Sequence, residues 1–166
     1  MQQALSLLHQ RRSIRKYTNQ PVNGEQLEQL LRAAMAAPSA SNKQPWQFVV
    51  VQERAMLNQL SEVHPYTKML KEAPLCIAVC GERNNKFWEQ DCAAATENLL
   101  LAATALGLGA VWLGIHPNPE PVATVAQLLR VPDTHLPLCL ISIGHAAEEK
   151  SPSERYDLAK VHREQW

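Results

Sequence analysis

Six consecutive positions, Arg11, Arg12, Ser13, Ile14, Arg15 and Lys16, hold four cations and one hydroxyl, the most basic stretch of the chain. Guanidinium groups bind phosphate oxygens through a rigid fork of N–H donors, and a hydroxyl between two of them suits a phosphomonoester. If the segment is extended, alternate side chains share a face. Arg11, Ser13 and Arg15 then point one way, while Arg12, Ile14 and Lys16 point the other. At ~3.3 Å per residue the first face spans ~13 Å, the reach from a phosphate along a sugar-like chain to a ring carbonyl. The same residues would also suit a solvated basic turn or a contact with nucleic acid. Charge balance separates these readings in part. Lys plus Arg total 16 and Asp plus Glu total 16, for zero net charge, whereas proteins that live on nucleic acid carry a basic surplus. The segment is therefore expected to serve one local anion, with no nucleic acid as partner.

Other chemistries find less support. No G-x-x-x-x-G-K-[ST] loop is present. Gly107, Gly109 and Gly114 miss the G-x-G-x-x-G spacing and follow a helix pattern instead of opening one, so neither a P-loop nor a Rossmann dinucleotide site is expected. Cys76, Cys80, Cys92 and Cys139 all sit inside apolar runs, as buried free thiols of a reducing cytoplasm do. Cys76 and Cys80 lie four apart in a strand-like run without the short turn of zinc-ligand pairs, so no metal is expected. His64, His116 and His145 have no nucleophile or metal partner nearby in sequence and are set aside as catalytic groups.

The elements that must position the basic segment follow from apolar spacing. The 166 residues, 46% hydrophobic and 19% charged, suit one globular domain over residues 1–166. No apolar run reads as a signal peptide or a membrane span; the longest, "CAAATENLLLAATALGLGAVWLGI", is interrupted by Glu97, Asn98 and glycines. Helices are expected over residues 2–10, from a capping box at Asn23 and Gln26 to Pro38, and over 55–63, 86–106 and 121–130, with a shorter helical stretch over 66–73. Gly107 suits the C-terminal cap of the longest helix. "WQFVVVQ", "LCIAVCG", "AVWLGI" and "LPLCLISIG" read as strands, and "APSASNKQPW" as a loop. Helices should cover the sheet. Residues 146–166 form a polar C-terminal extension that still carries Tyr156, Val161 and Trp166, too few apolar groups for a core of their own.

Three stretches, "RRSIRKY", "APSASNKQPWQF" and "GLGAVWLGI", occur in this order, with "HPYTKMLKEAP" between the last two and "GHAAEEKSPSERYD" at the end. Together they resemble the nitroreductase family, the FMN-dependent NAD(P)H oxidoreductases, over essentially the whole chain. The resemblance implies an α+β fold: a central mixed sheet flanked by helices, in an intertwined homodimer whose C-terminal tail packs on the partner and whose flavin sites lie at the interface. It implies that Arg11, Arg12 and Ser13 lie by the FMN phosphate and ribityl chain, with Arg15 by the pyrimidine edge of the ring. Pro38, Ser39, Ala40 and Asn42 would approach the flavin from the other subunit. Many relatives carry serine where this chain has Ala40, which puts a hydroxyl contact in doubt there. Lys68, in "YTKML", matches a lysine near the flavin N1–O2 edge, and Leu113, Gly114 and Ile115 match backbone beside N5. Arg155 matches the arginine of a phosphate-binding Lys-x-Arg pair. The lysine position is Ser153, so either Lys150 substitutes or the phosphate has one cation fewer.

The chemistry so implied is reduction by NADH or NADPH at flavin N5. Charge develops toward N1 and O2, beside Arg15 and Lys68, before a nitro-aromatic or quinone-like acceptor takes the electrons in a ping-pong cycle. No side-chain nucleophile or acid is needed. Two alternatives stay open. One is a flavin enzyme with another reaction, such as dehalogenation or substrate oxidation. The other is a flavin-free protein whose basic segment contacts a nucleotide or RNA.

Overall fold

The computed structural model describes residues 2–152 and 154–166. Four strands, β1 (Trp46–Val51), β2 (Leu75–Glu82), β3 (Gly109–Gly114) and β4 (His135–Gly144), form a sheet of order β1-β2-β4-β3. Each neighbouring pair is antiparallel: Val49 faces Ala78, Ile77 faces Ile141, and Trp112 faces Ile141 from the other side. The sheet expected to be mixed is thus antiparallel in its four strands. Its parallel component is one bridge, Ser13 with Ala110, where the basic segment lies along β3. β2 and β4 are central and covered on both faces, which is why their sequences are mostly apolar rather than alternating.

Strand alternation divides the core into two layers. Ile77 and Val79 of β2 point toward α2 (Gly24–Met35) and α4 (Trp88–Ala105), meeting Leu30, Ala34, Leu99 and Ala103. Cys76 and Ala78 point the other way, toward α3 (Arg54–Leu60), the 3-10 segment Pro65–Lys71 and α5 (Pro119–Leu129), meeting Leu57, Leu60, Leu70 and Val125. All four thiols are free and buried, Cys76, Cys92 and Cys139 inside these layers. Burial pushes Cys76, Cys80 and Cys92 up to about 12 and raises Cys139 as well.

Helix ends follow local chemistry. Asn23 Oδ1 accepts the Gln26 N–H at 2.8 Å while the Asn23 N–H donates to Gln26 Oε1 at 3.0 Å, closing the capping box that starts α2. α4 begins at Trp88, not at residue 86, because Asn85 Oδ1 accepts the Phe87 N–H at 3.0 Å and holds the preceding residues in a turn. It ends where Gly107 takes φ +71° and the Leu108 N–H reaches back to the Ala103 carbonyl at 2.8 Å. α5 starts at Pro119, two residues before the expected 121, since a proline in the first turn gives up no helical hydrogen bond. α1 (Gln2–Gln10) precedes the basic segment. Among the described residues of 146–166, Leu158–Lys160 form a 3-10 turn. Among the described residues, no helix is long and apolar enough to cross a membrane.

Candidate active site

The basic segment is held between the β3 edge and the chain that follows β4. The Arg11 N–H still donates to the Leu7 carbonyl at 3.0 Å, so Arg11 completes the last turn of α1. Extended backbone begins after it: the Ile14 N–H donates to the Ala110 carbonyl at 3.0 Å, and the Thr18 and Ala147 N–H groups pair with His145 and Lys16 at 2.9 Å each. Ile14 and Tyr17 are the buried anchors. The Tyr17 hydroxyl donates to the Ile14 carbonyl at 2.6 Å, and burial raises its pKa well above the phenol range. Ile14 presses onto Gly109, where an added Cβ would lie 2.6 Å from its Cγ2.

The expected alternation fails at its first step. Arg11 and Arg12 do not face apart; both line one cavity of about 270 Å³, together with Arg155, Glu154 and Tyr156. Two causes combine: the Arg11 N–H is still bonded into the last turn of α1, and Arg12 folds back so that its Nη1 donates to the Arg11 carbonyl at 2.6 Å and its Nε to the Ser151 carbonyl at 2.9 Å. Arg12 Nη2 is buried and has no hydrogen-bond partner. Arg11 Nε lies 3.4 Å from Glu97 Oε1. Lys150 comes to the same segment, donating to the Ser13 carbonyl at 2.5 Å and pairing with Glu148 at 3.3 Å. Glu148 also accepts the Arg15 N–H at 2.6 Å; this bond, with the Lys150 ammonium, holds its carboxyl below the usual range. Ser153, the expected lysine position, lies outside the described residues.

A second group gathers at the end of β3. Leu113 and Ile115 are buried and Gly114 is exposed between them. The Gly114 carbonyl meets His64 Nε2 at 3.1 Å, which ties it to the 3-10 segment that carries Lys68. The Lys68 ammonium is engaged by Glu62, which also accepts Lys71 at 2.7 Å. The hydrogen bond from Lys68, then that from Lys71, lowers the Glu62 pKa to about 2.

The third group is the loop after α2. Ser41, Asn42 and Gln44 have φ of 53°, 52° and 49°, left-handed backbone that costs a non-glycine residue roughly 1–2 kcal/mol. Pinning bonds offset that strain: Asp91 Oδ1 accepts the Ala40 N–H at 3.0 Å, and Ser39 Oγ accepts the Gln44 N–H at 2.9 Å. Asp91 is 6% exposed, and its Oδ2 has no partner. α4 thus serves two groups, with Asp91 on the loop and Glu97 on Arg11, six residues or ~9 Å apart along its axis.

The structure therefore brings Arg11, Arg12 and Arg155 together, gathers Ser13, Arg15 and Lys150 around Glu148, and links Gly114 to the segment bearing Lys68. Pro38, Ser39, Ala40 and Asn42 form a separate loop that does not line the arginine cavity. Sequence reasoning missed Glu62, Glu148 and Asp91, and gave His64 no role. Asp91 had one visible signal, a carboxylate in the first turn of a mostly apolar helix. His64 had another, its place three residues before Thr67 and directly before Pro65.

The sequence profile of the Nitroreductase family matches residues 8–64 and 55–145. An Archaeoglobus fulgidus protein named as an NADH dehydrogenase/NAD(P)H nitroreductase is 41% identical over 174 aligned positions, covering 100% of both chains. A crystal structure of a Parabacteroides distasonis protein of the same name superposes with a TM-score of 0.96 at 40% identity, covering 99% of each chain. A Desulfovibrio desulfuricans nitroreductase solved in complex with FMN superposes with a TM-score of 0.84 at 34% identity, covering 98% of this chain and 97% of that one. With its fold, its length and its ordered basic segment, loop and β3 end all accounted for, the chain belongs to the nitroreductase family.

Proposed function

We propose that the chain binds FMN and uses NADH or NADPH to reduce a small-molecule electron acceptor, nitro-aromatic or quinone-like. One observation carries the cofactor reading: Arg12, which lines one cavity with Arg11 and Arg155, keeps a buried guanidinium nitrogen, Nη2, without a hydrogen-bond partner. A buried donor left unpaired costs ~1–3 kcal/mol, and a phosphomonoester is the anion whose oxygens match three guanidinium groups. The residues present fit FMN on that ground. Arg11, Arg12, Ser13 and Arg155 hold the phosphate end, and Lys150 braces Ser13 through its carbonyl. Arg15 and Lys68 present positive charge to the carbonyl edge of the ring. Lys68 does so as one partner of the Glu62 pair, so its net field is reduced by that carboxylate. The backbone of Leu113, Gly114 and Ile115 forms the wall beside N5.

When bound, FMN supplies the two-electron chemistry, and nicotinamide and acceptor occupying one face in turn give a ping-pong order. The chain acts as a homodimer, with Pro38, Ser39, Ala40 and Asn42 of a second copy closing each site. Support for that assembly is twofold. Tyr156, Leu158, Val161 and Trp166 are all exposed, Leu158 by 66% and Trp166 fully, so the tail finds no core within its own chain. β1 is an edge strand, and a groove of about 840 Å³ runs beside it, lined by Val49, Val51, Met56 and Leu128 among others. The tail of a second copy is the occupant this surface suits. Four free thiols and a nicotinamide donor suit a reducing cytoplasm.

The test compares FMN with riboflavin, which lacks the phosphate. Arg12→Ala should weaken FMN binding by about ten- to a hundredfold, one charge-assisted hydrogen bond, and leave riboflavin affinity unchanged. Equal loss for both ligands would remove the phosphate assignment. Anaerobic reoxidation of the NAD(P)H-reduced protein by a panel of acceptors then identifies the acceptor class.

A further inference from the structure

His64 makes two hydrogen bonds that need opposite nitrogens. Its Nδ1 accepts the Tyr66 N–H at 3.0 Å, which caps the 3-10 segment Pro65–Lys71. An accepting Nδ1 in a neutral imidazole leaves the proton on Nε2. Nε2–H therefore donates to the Gly114 carbonyl at 3.1 Å. The other end of that same peptide unit is held as well, because the Ile115 N–H donates to the Leu138 carbonyl at 3.1 Å. The plane of the 114–115 peptide is thus fixed at both ends, by a side chain at one and by a neighbouring backbone at the other. On the far side of the imidazole, the capped segment carries Lys68, whose ammonium forms an exposed ion pair with Glu62.

We propose that His64, as its Nε2–H tautomer, is a positioning residue of the flavin site. It sets the Gly114–Ile115 peptide and the Lys68 segment at a fixed spacing, so that the N5 wall and the cation at the carbonyl edge address one ring together. The inference rests on the FMN reading for what is positioned; the tautomer and the tie do not depend on it. A ring whose two edges are contacted by separate elements feels any slip between them, and a ~1 Å misplacement remote from the chemistry is enough to lower catalysis. Imidazole suits the task because one rigid ring presents an acceptor and a donor in divergent directions. Asparagine and glutamine also carry an acceptor and a donor, but not on a rigid ring that places them at the Nδ1 and Nε2 positions at once.

Two substitutions divide the roles. Asparagine matches Nδ1, so His64→Asn keeps the cap, a position where asparagine is favoured, and loses the reach to Gly114. Glutamine extends to the Nε2 position, so His64→Gln keeps a donor for Gly114 and loses the cap. With His64→Asn the thermal midpoint should stay near that of the unmodified protein, while FMN affinity falls roughly three- to tenfold, the worth of one hydrogen bond, and the midpoint potential of the bound flavin shifts. With His64→Gln the thermal midpoint should drop while affinity and potential are kept. Unchanged affinity and potential in His64→Asn would overturn the proposal, as would equal flavin defects in both variants. Long-range proton–nitrogen spectra of the cofactor-free protein should show the His64 ring protonated at Nε2 alone; a proton on Nδ1 would overturn the tie itself. A chain that binds no FMN at all would overturn the positioning role through the FMN reading, and the nitrogen spectrum would tell that failure from a missing tie.

Discussion

Glu62 shows how an exposed side chain comes to matter through its neighbours. Its carboxylate accepts from both Lys68 and Lys71, and these hydrogen bonds hold its pKa at about 2 against an ordinary value of 4.5. The sign follows from the depressed acid: the pairing is fully present above the ordinary carboxylate range and is lost as pH falls through about 2. A carbon-detected titration should therefore place the Glu62 carboxyl near pH 2. Lys68→Met should move it upward toward the ordinary range, and added salt should move it the same way because the pair lies in water. A Glu62 that titrates at its ordinary value in the unmodified protein would free Lys68 from the pair. Under the FMN reading Lys68→Met should also make the bound flavin harder to reduce without releasing it, since it removes a cation from the edge where charge collects. An unchanged midpoint potential would count against that role.

Between elements, the decisive contact is small. The basic segment approaches β3 closely enough for the Ile14 N–H to reach Ala110 because residue 109 has no side chain. A Cβ there would lie 2.6 Å from Ile14 Cγ2 and 2.8 Å from its Cβ, and neither atom is the free end of a flexible chain. Gly109→Ala should destabilise the protein by ~1–3 kcal/mol, the usual cost of overpacking. Under the FMN reading it should also weaken cofactor binding, because the displaced segment carries Arg11, Arg12 and Ser13. Pairing it with Ile14→Ala should give less than the sum of the two single losses, since the smaller side chain makes room. Urea unfolding of the four proteins measures the coupling; strict additivity would mean that the segment already has slack. α4 adds a second inter-element constraint, holding the strained loop through Asp91 and Arg11 through Glu97.

At the scale of the whole molecule, the tail and the β1 edge are surfaces without a partner within the described chain. Burying one aromatic side chain contributes ~1.5–3 kcal/mol, so a tail carrying Tyr156 and Trp166 can decide whether two copies stay together. Under the homodimer reading, deleting residues 157–166 should weaken dimerisation by at least about tenfold, and FMN should be lost with it, because that reading has the 38–42 loop supplied by a second chain. Sedimentation of the truncated protein, followed at a flavin wavelength, reads both effects at once. A truncated chain that remains a tight dimer with full FMN would make the tail mere surface.

Local order was legible in the residues themselves. The Asn23–Gln26 capping box, the stop at Gly107 and the apolar runs of β2 and β4 are written in neighbouring residues, and they stand in the structure as the spacing implied, whereas the expected divergence of Arg11 and Arg12 does not. The ordered motifs also sufficed to identify the family. What the fold alone decided lies at long range. The pairing of β2 with β4 in place of β3, the fold-back of Arg12 onto Ser151, the Asp91 bond to a loop 51 residues earlier and the His64 bond to a carbonyl 50 residues later join positions whose separation no periodicity encodes. The reason is entropic. A contact across fifty residues forms only after burial of both core layers has met the cost of closing that loop. Residue types can suggest such a contact, but only the packed sheet and helices choose its partner.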